Sequence, residues 1–378
     1  MTILIDGSGT ITGATTLAST VASPTFTTPA LGTPASGILT SCTGVPFDGF
    51  KNRIINGGFQ LAQRGTSFTS GSNNDDTYNL DRWYVLSDGN DIVDITQTTT
   101  VPTNAAKNSI GLDVETVNTK FGIAQIIENV NCVDAIGGAV TLSFQAKVSA
   151  TTQLDNVKCA IVAWSGTADT VTSDIISAWG VEGTNPTLIA NATYENSPAN
   201  LNVTTSFATY NVTATVDTAS TTNIILFIWS DVTTTTLGDF LFITNVQLEK
   251  GSTATSFDYR PYTTELSLCQ RYYYQTWGFG AWASNIGAGY AGHVLPSPNN
   301  ASTVGSSSFP VAMRAAPTVT TYDSTGSSGN VSQSAIANGL AATAGSISIS
   351  GFLSVTKSST TFTVGTPITC QYIASIEL

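Results

Sequence analysis

The chain has 378 residues, 13 of them Lys or Arg and 25 Asp or Glu, so 10% are charged and the net charge is −12. The acidic balance and the lack of any basic cluster exclude a nucleic-acid face, which must displace counterions with Lys and Arg. No apolar run approaches the roughly 18 residues of a spanning helix, so membrane insertion is not expected, and 41% hydrophobic residues exclude a disordered chain.

Ser and Thr make up about 100 of the residues, where an ordinary domain places charge, about 25% of it. Such a surface suits a protein covered by copies of itself; the alternative is a secreted all-β domain with a Thr-rich surface. The five cysteines (Cys42, Cys132, Cys159, Cys269, Cys370) are widely spaced with no CxxC, which suits reduced, buried thiols. The first Lys is Lys51, so a secretory signal is not expected, and the Asn191, Asn202 and Asn211 sequons are read as chance.

Charge divides the chain into three parts: residues 1–50 (net −2), 51–262 (20 acids, 10 bases) and 263–378 (three of each). Residues 1–50 hold a short hairpin around Asp6-Gly7-Ser8-Gly9, then a Thr/Pro stretch with Pro24, Pro29 and Pro34 every five residues. Proline at that spacing excludes a helix. The stretch is a disordered tail or an extended anchoring arm.

In residues 51–262 apolar and polar residues alternate over Thr141–Val148 and Phe207–Val216, as in half-buried strands. Ile224–Trp229 is continuously apolar, which predicts a strand buried on both faces, and Phe240–Leu248 predicts another. Helical period is weak everywhere, Ala124–Val130 being the exception considered. Many short strands without helices predict an all-β fold, here a jelly-roll β-sandwich. Residues 263–378 open on an aromatic run, Leu268–Trp277, read as a strand. Further strands are expected at Thr318–Tyr322, Ile347–Val355, Thr361–Val364 and Gln371–Leu378, with a Ser/Gly turn at Asp323–Gly329. They predict a smaller C-terminal β-sandwich, whose low charge suits a surface hidden against other copies.

The chemistry is sparse. No GxSxG, HExxH or P-loop pattern occurs, and Gly287–Gly292 matches GxGxxG without opening a helix. His293 is the one histidine, with no sign of an orienting acid. Asp75-Asp76 reads as a solvated loop, and Asp88, Asp91 and Asp94 as acids facing solvent or a cation. No catalytic residue is assigned and an enzyme is not expected. Sugars stack their C–H faces on exposed aromatics, helped by amides and carboxylates. Trp277, Phe279, Trp282, Tyr290 and His293 form the densest aromatic, Gly-rich segment, either a candidate glycan platform or core packing. Trp164 and Trp179 are a second candidate.

Several blocks carry a family resemblance. Asn52–Phe68 with Asp81-Arg82-Trp83 resembles the opening of the carbohydrate-binding-module-like jelly roll of phage and prophage tail-fibre proteins. Thr244–Gly251 and Ala254–Pro261 resemble its close. Glu265-Leu266 with Cys269–Tyr273 resembles the hinge into their C-terminal domain. Phe309–Val319 and Ile376-Glu377-Leu378 resemble segments of that domain. The resemblance implies a homotrimer assembled in the host cytoplasm and placed on the virion tail. Its N-terminal arm would dock to tail or adaptor proteins, and its β domains would attach to a host-surface glycan or protein. The alternative is a non-adhesive virion component such as a head fibre or capsid decoration protein. Related modules hold a structural calcium with a Glu after the Gly-Phe pair; here that residue is Gln60, so neither a metal site nor a cofactor is expected.

Overall fold

The computed structural model describes residues 50–103, 105–278, 293–295, 303–333, 337–357, 362–363 and 366–378. The chain forms two compact units, Met1–Phe47 and Asp48–Leu378, and the described residues belong to the second. The expected leader hairpin and arm lie outside them, as does Cys42. The fold is all-β: 22 strands, numbered in chain order, and two short α-helices among the described residues.

Eleven strands between Ser67 and Lys250 form the jelly roll, two antiparallel sheets face to face. The first sheet runs β1 (Ser67–Phe68), β3 (Val93–Thr98), β4 (Ser109–Val114), β13 (Phe240–Lys250), β6 (Ala139–Val148), β11 (Ala208–Thr215). The second runs β10 (Ala192–Tyr194), β7 (Val157–Trp164), β12 (Asn223–Ser230), β5 (Phe121–Ile127), β2 (Tyr84–Ser87). Alternation places Leu142, Phe144 and Ala146 of β6 in the core between them, opposite Ile224, Leu226 and Ile228 of β12. The other face of β12 is apolar as well: Ile225, Phe227 and Trp229 join a second core outside the second sheet. The strand is buried on both faces, as its continuous run predicts; each such side chain contributes about 1.5–3 kcal/mol. Gly122, paired with Trp229, admits no Cβ because the Ile228 carbonyl and the Trp229 Cβ fill that space; the Trp229 indole stacks on Phe227 at 4.4 Å.

The second core is roofed by the loop after β7, with its hairpin of β8 (Ile176–Ala178) and β9 (Thr187–Leu188). Trp164 and Trp179 are buried there, 8% and 7% exposed. They are part of this roof and not a second sugar surface. A short helix, α1 (Asn129–Cys132), follows β5, and Ala124–Ile127, considered for a helix, is strand.

The aromatic run is not one strand. Helix α2 (Tyr262–Gln270) takes its first three residues, and β14 (Tyr273–Gln275) begins after two more residues. Pro261 caps the helix: its carbonyl accepts from the amides of Thr264 and Glu265, and Glu265 complements the helix N-terminus. The C-terminal strands form one connected sheet: β14, β22 (Ile368–Ser375), β19 (Asn330–Gln333), β20 (Ala337–Ser348), β21 (Gly351–Lys357), β16 (Thr303–Val304). Onto it pair β15 (His293–Leu295), β17 (Ser307–Ser308) and β18 (Thr318–Tyr322). It encloses its own core around Phe309, Met313, Phe352, Ile368 and Tyr372. The stretch Ile347–Val355, read as one strand, turns at Ile349-Ser350 into the β20–β21 hairpin.

Candidate functional site

The outward face of the first sheet follows from the pleat. Because Leu142, Phe144 and Ala146 of β6 point inward, Ser143, Gln145 and Lys147 point outward. Pairing then sets rows across the sheet: Thr96, Gly111, Phe242 and Lys147 in one, Gln145 beside Thr244 and Thr209 in the next, Ser143 beside Gln247 and Asn211 after that. Gly111 is small because the Phe242 ring and Thr96 hydroxyl fill the space its Cβ would take.

Between the last two rows β13 carries a bulge. The register with β6 shifts between Thr244 and Gln247, and Asn245 takes a left-handed backbone, φ 57° being the comparable value at Asn56 and 51° here. The bulge is held from outside: the Val246 amide donates to Gly57 O at 2.9 Å, and Asn52 Nδ2 donates to Val246 O at 3.1 Å. A Cβ on Gly57 would collide with the Val246 carbonyl, which explains one glycine of the Asn56-Gly57-Gly58 block.

The bulge places Asn245 at the floor of a groove of about 350 Å³. Gln145, Ser143 and Thr209 share the floor; Phe257, Tyr259 and Ala105 form the walls. Asn245 Nδ2 donates to Gln145 Oε1 at 2.8 Å, to Ala105 O and to Tyr259 OH, which fixes its amide orientation. Its Oδ1 is buried and has no hydrogen-bond partner, although Asn245 is only 6% exposed. Tyr259 is 51% exposed and meets Phe257 edge-on at 4.8 Å. No lining residue is charged. The arrangement suits a neutral polyhydroxyl ligand: an aromatic wall for C–H faces, with amides and hydroxyls for OH groups.

Below the groove, Gln60 lines a small cleft with Asn52, Asn56 and Arg260. A side-chain cation occupies this corner: the Arg260 guanidinium donates to the carbonyls of Asn52 and Ile54 and pairs with Glu265 at 3.1 Å. Among the described residues no group of three or more His, Cys, Asp or Glu is placed to hold a metal.

The expected acid clusters resolve differently from each other. Asn73 Nδ2 donates to Asp91 Oδ1 at 2.9 Å and Asp94 Oδ1 at 3.3 Å, so an amide serves where a cation was considered. Asp75 accepts from the Ser87 amide at 2.7 Å. Its neighbour Asp76 is pushed up to about 7 by burial, then by Asp75 and Asp174. The loop is therefore only partly solvated. Cys132, Cys159, Cys269 and Cys370 are free and buried, and burial pushes the Cys159 thiol up to about 12.

Of the predicted platform, Trp277 is 4% exposed and packs edge-on against Tyr322 at 5.4 Å, with Ile373 behind. It is a core residue and offers no open face to a sugar. Phe279, Trp282 and Tyr290 lie outside the described residues, as does the His293 side chain; the His293 backbone pairs with Cys370 in β22.

The family-like blocks meet at one place, the joint between jelly roll and C-terminal sheet. Glu377 pairs with Arg64 at 2.6 Å and with Arg82. Arg64 lies 3.8 Å from the Tyr273 ring centre, and Arg82 lies 3.7 Å from that of Tyr272. Arg314 donates to the carbonyls of Ile376 and Glu377, and Arg271 pairs with Glu128 at 2.7 Å. Burial works to raise the Glu377 carboxyl; Arg82 and Arg64 together outweigh it and hold it below its ordinary value. The expected hinge is thus a buried, charge-locked joint.

No family model and no curated protein matches the chain. Solved structures with a similar fold include the enzymatically active domain of bacteriophage CBA120 tailspike protein 4, at 19% identity, covering 53% of this chain and 22% of that one, TM-score 0.32. Another is the CBM22-1 xylan-binding domain of Paenibacillus barcinonensis Xyn10C, at 14% identity, covering 51% and 99%, TM-score 0.28. A third is a family 16 carbohydrate-binding module, at 13% identity, covering 41% and 84%, TM-score 0.26. Likenesses this low carry neither ligand nor role to this chain.

Proposed function

We propose that the chain is a non-enzymatic attachment protein of the phage tail-fibre kind, and that its jelly roll holds an oligosaccharide in the groove floored by Asn245. One observation carries the binding reading: an uncharged groove lined by amide and hydroxyl side chains beside an exposed tyrosine. Amides and hydroxyls such as Gln145 and Thr209 offer both donors and acceptors to sugar hydroxyls, and the Tyr259 ring offers a face to C–H groups. The tail-fibre reading is supported by the sequence blocks at the joint, by the low surface charge and by the free, buried thiols. It includes a homotrimer, docking through residues 1–50, and a further glycan contact at Phe279, Trp282, Tyr290 and His293.

The test is binding of the purified protein to a printed oligosaccharide panel, alone and as Asn245→Ala and Tyr259→Ala. At least one neutral or acidic oligosaccharide binds, and each substitution weakens it about tenfold or more without lowering the melting temperature by more than a few degrees. Absence of any binder, or binding indifferent to both substitutions, overturns the groove. Saturating protein should also block adsorption of the phage that carries it; unchanged adsorption with antibody labelling at the capsid overturns the tail-fibre role.

A further inference from the structure

The groove reading leaves open which sugars it takes, and a lysine beside it bears on that choice. Two of the seven lysines, Lys120 and Lys158, are tied to Asp231; Lys51 is tied to Thr255 and Ser256; Lys357 lies on the Phe362 ring. Lys107, Lys147 and Lys250 make no ion pair among the described residues. Two of these three lie two residues along the chain from residues that line the groove. Lys147 is two residues along β6 from Gln145, on the same outward face. Lys107 is exposed and follows Ala105 in the loop that forms one wall.

Lys147 is held in an unusual setting. Its ammonium lies 5.3 Å from the ring centre of Phe242, 5.5 Å from Phe207 and 5.9 Å from Phe240. Three phenyl rings orient the cation through their quadrupoles but bring no net charge, so its full positive charge stays available to an anion. They also keep water away from one side, which strengthens any ion pair formed on the other. The carboxylates on this face are Asp94 and Asp113, cross-strand neighbours one row beyond, and Glu249 on β13, which accepts from Thr255 of the groove lining; none comes within ion-pair distance of Lys147.

We propose that the groove selects an oligosaccharide bearing a single acidic sugar, its neutral part on Asn245 and Tyr259 and its carboxylate or sulfate on Lys147. The inference rests on the groove being the glycan site. The chain around it has net charge −12, which repels a dense polyanion. The Lys51 ammonium is taken up by Thr255 and Ser256 of the lining, with Glu249 accepting from the same Thr255, so Lys147 is the cation beside the groove left to match one isolated acid group.

The experiment uses the full chain and three probes: oligosaccharides with one sialic or uronic acid residue, their neutral counterparts lacking that acid, and heparin. Single-acid probes bind about tenfold tighter than their neutral counterparts, and heparin binds more weakly than the best of them. Lys147→Gln removes that tenfold preference and leaves neutral probes within about twofold. Lys147→Arg, which keeps the charge, retains most of it. Neutral probes binding as tightly as acidic ones, heparin binding tightest, or a preference untouched by Lys147→Gln overturns the proposal while the groove reading stands. Loss of all binding in Asn245→Ala with Lys147→Gln inert assigns the groove to neutral sugars. No binding by any probe fails both readings together.

Discussion

Residues 51–262 carry thirty charged side chains, whereas residues 263–378 carry six, and each of those six engages a partner within the fold. Glu265 holds Arg260, Arg271 holds Glu128, and Arg314 holds the carbonyls of Ile376 and Glu377. Glu377 locks Arg64 and Arg82, Asp323 accepts from Thr325, Ser327 and Gly339, and Lys357 lies on Phe362. The jelly roll keeps itself dispersed with charge on its surface; the C-terminal sheet uses its charges to attach itself and to brace its turns. Its outward residues are Ser, Thr, Ala and apolar groups such as Leu353, 72% exposed. The difference separates a domain rich in charge from one whose surface suits contact with further copies.

The largest expected effect breaks the joint. Glu377→Gln leaves two buried guanidiniums without their anion, and removing one partner of a buried pair costs about 3–5 kcal/mol. Denaturant unfolding should show that loss, with the C-terminal sheet melting before the jelly roll; a single transition at the parent's midpoint would mean that the joint does not couple the two regions. Next comes the bulge. Gly57→Ala forces the Val246 carbonyl away and should cost about 1–3 kcal/mol, with glycan binding lost along with it. Stability lost while binding persists would separate the groove from the bulge that shapes it.

A smaller effect depends on pH. Asp76 titrates near 7 in the folded chain and near its ordinary carboxylate value when unfolded, so the native state binds the extra proton between the two. Stability therefore falls as pH rises from about 4 to about 7. Asp76→Asn should melt higher than the parent at pH 8 and level with it at pH 4; equal melting at both pH values would place Asp76 in free solvent. The smallest effect concerns the C-terminal surface. Leu353→Lys should change unfolding by less than about 0.5 kcal/mol. If the sheet contacts other copies, light scattering should show a lower mass; an unchanged mass takes Leu353 out of any subunit contact.

Much of this architecture is legible along the chain. The alternation of β6 and β11 and the two-faced run of β12 appear as written, because a strand's burial depends on neighbours one and two residues away. Even the bulge leaves a trace: apolar residues fall at Leu241 and Ile243, then at Val246 and Leu248, a skip of one position that the quoted block Thr244–Gly251 contains. What that skip places nearby is not legible. Ala105, Gln145 and Asn245 share a groove through hydrogen bonds that span 140 and 100 residues. The aromatic run misled because Leu268–Gln270 is taken into α2 by the Pro261 cap and Glu265. Trp277 misled because exposure belongs to the packed sheet, where Tyr322 and Ile373 cover it.

Composition, strand periodicity and charge by segment were determined by the sequence alone: an all-β chain, with an acidic jelly roll and a nearly uncharged C-terminal part. The tertiary structure decided where the rare charges go. Arg64, Arg82 and Glu377 are up to 313 positions apart, and their pairing exists only once burial has made an unpaired ion too costly to leave alone. The same holds for the groove, where a buried oxygen lacks a donor only after the strands around Asn245 have closed.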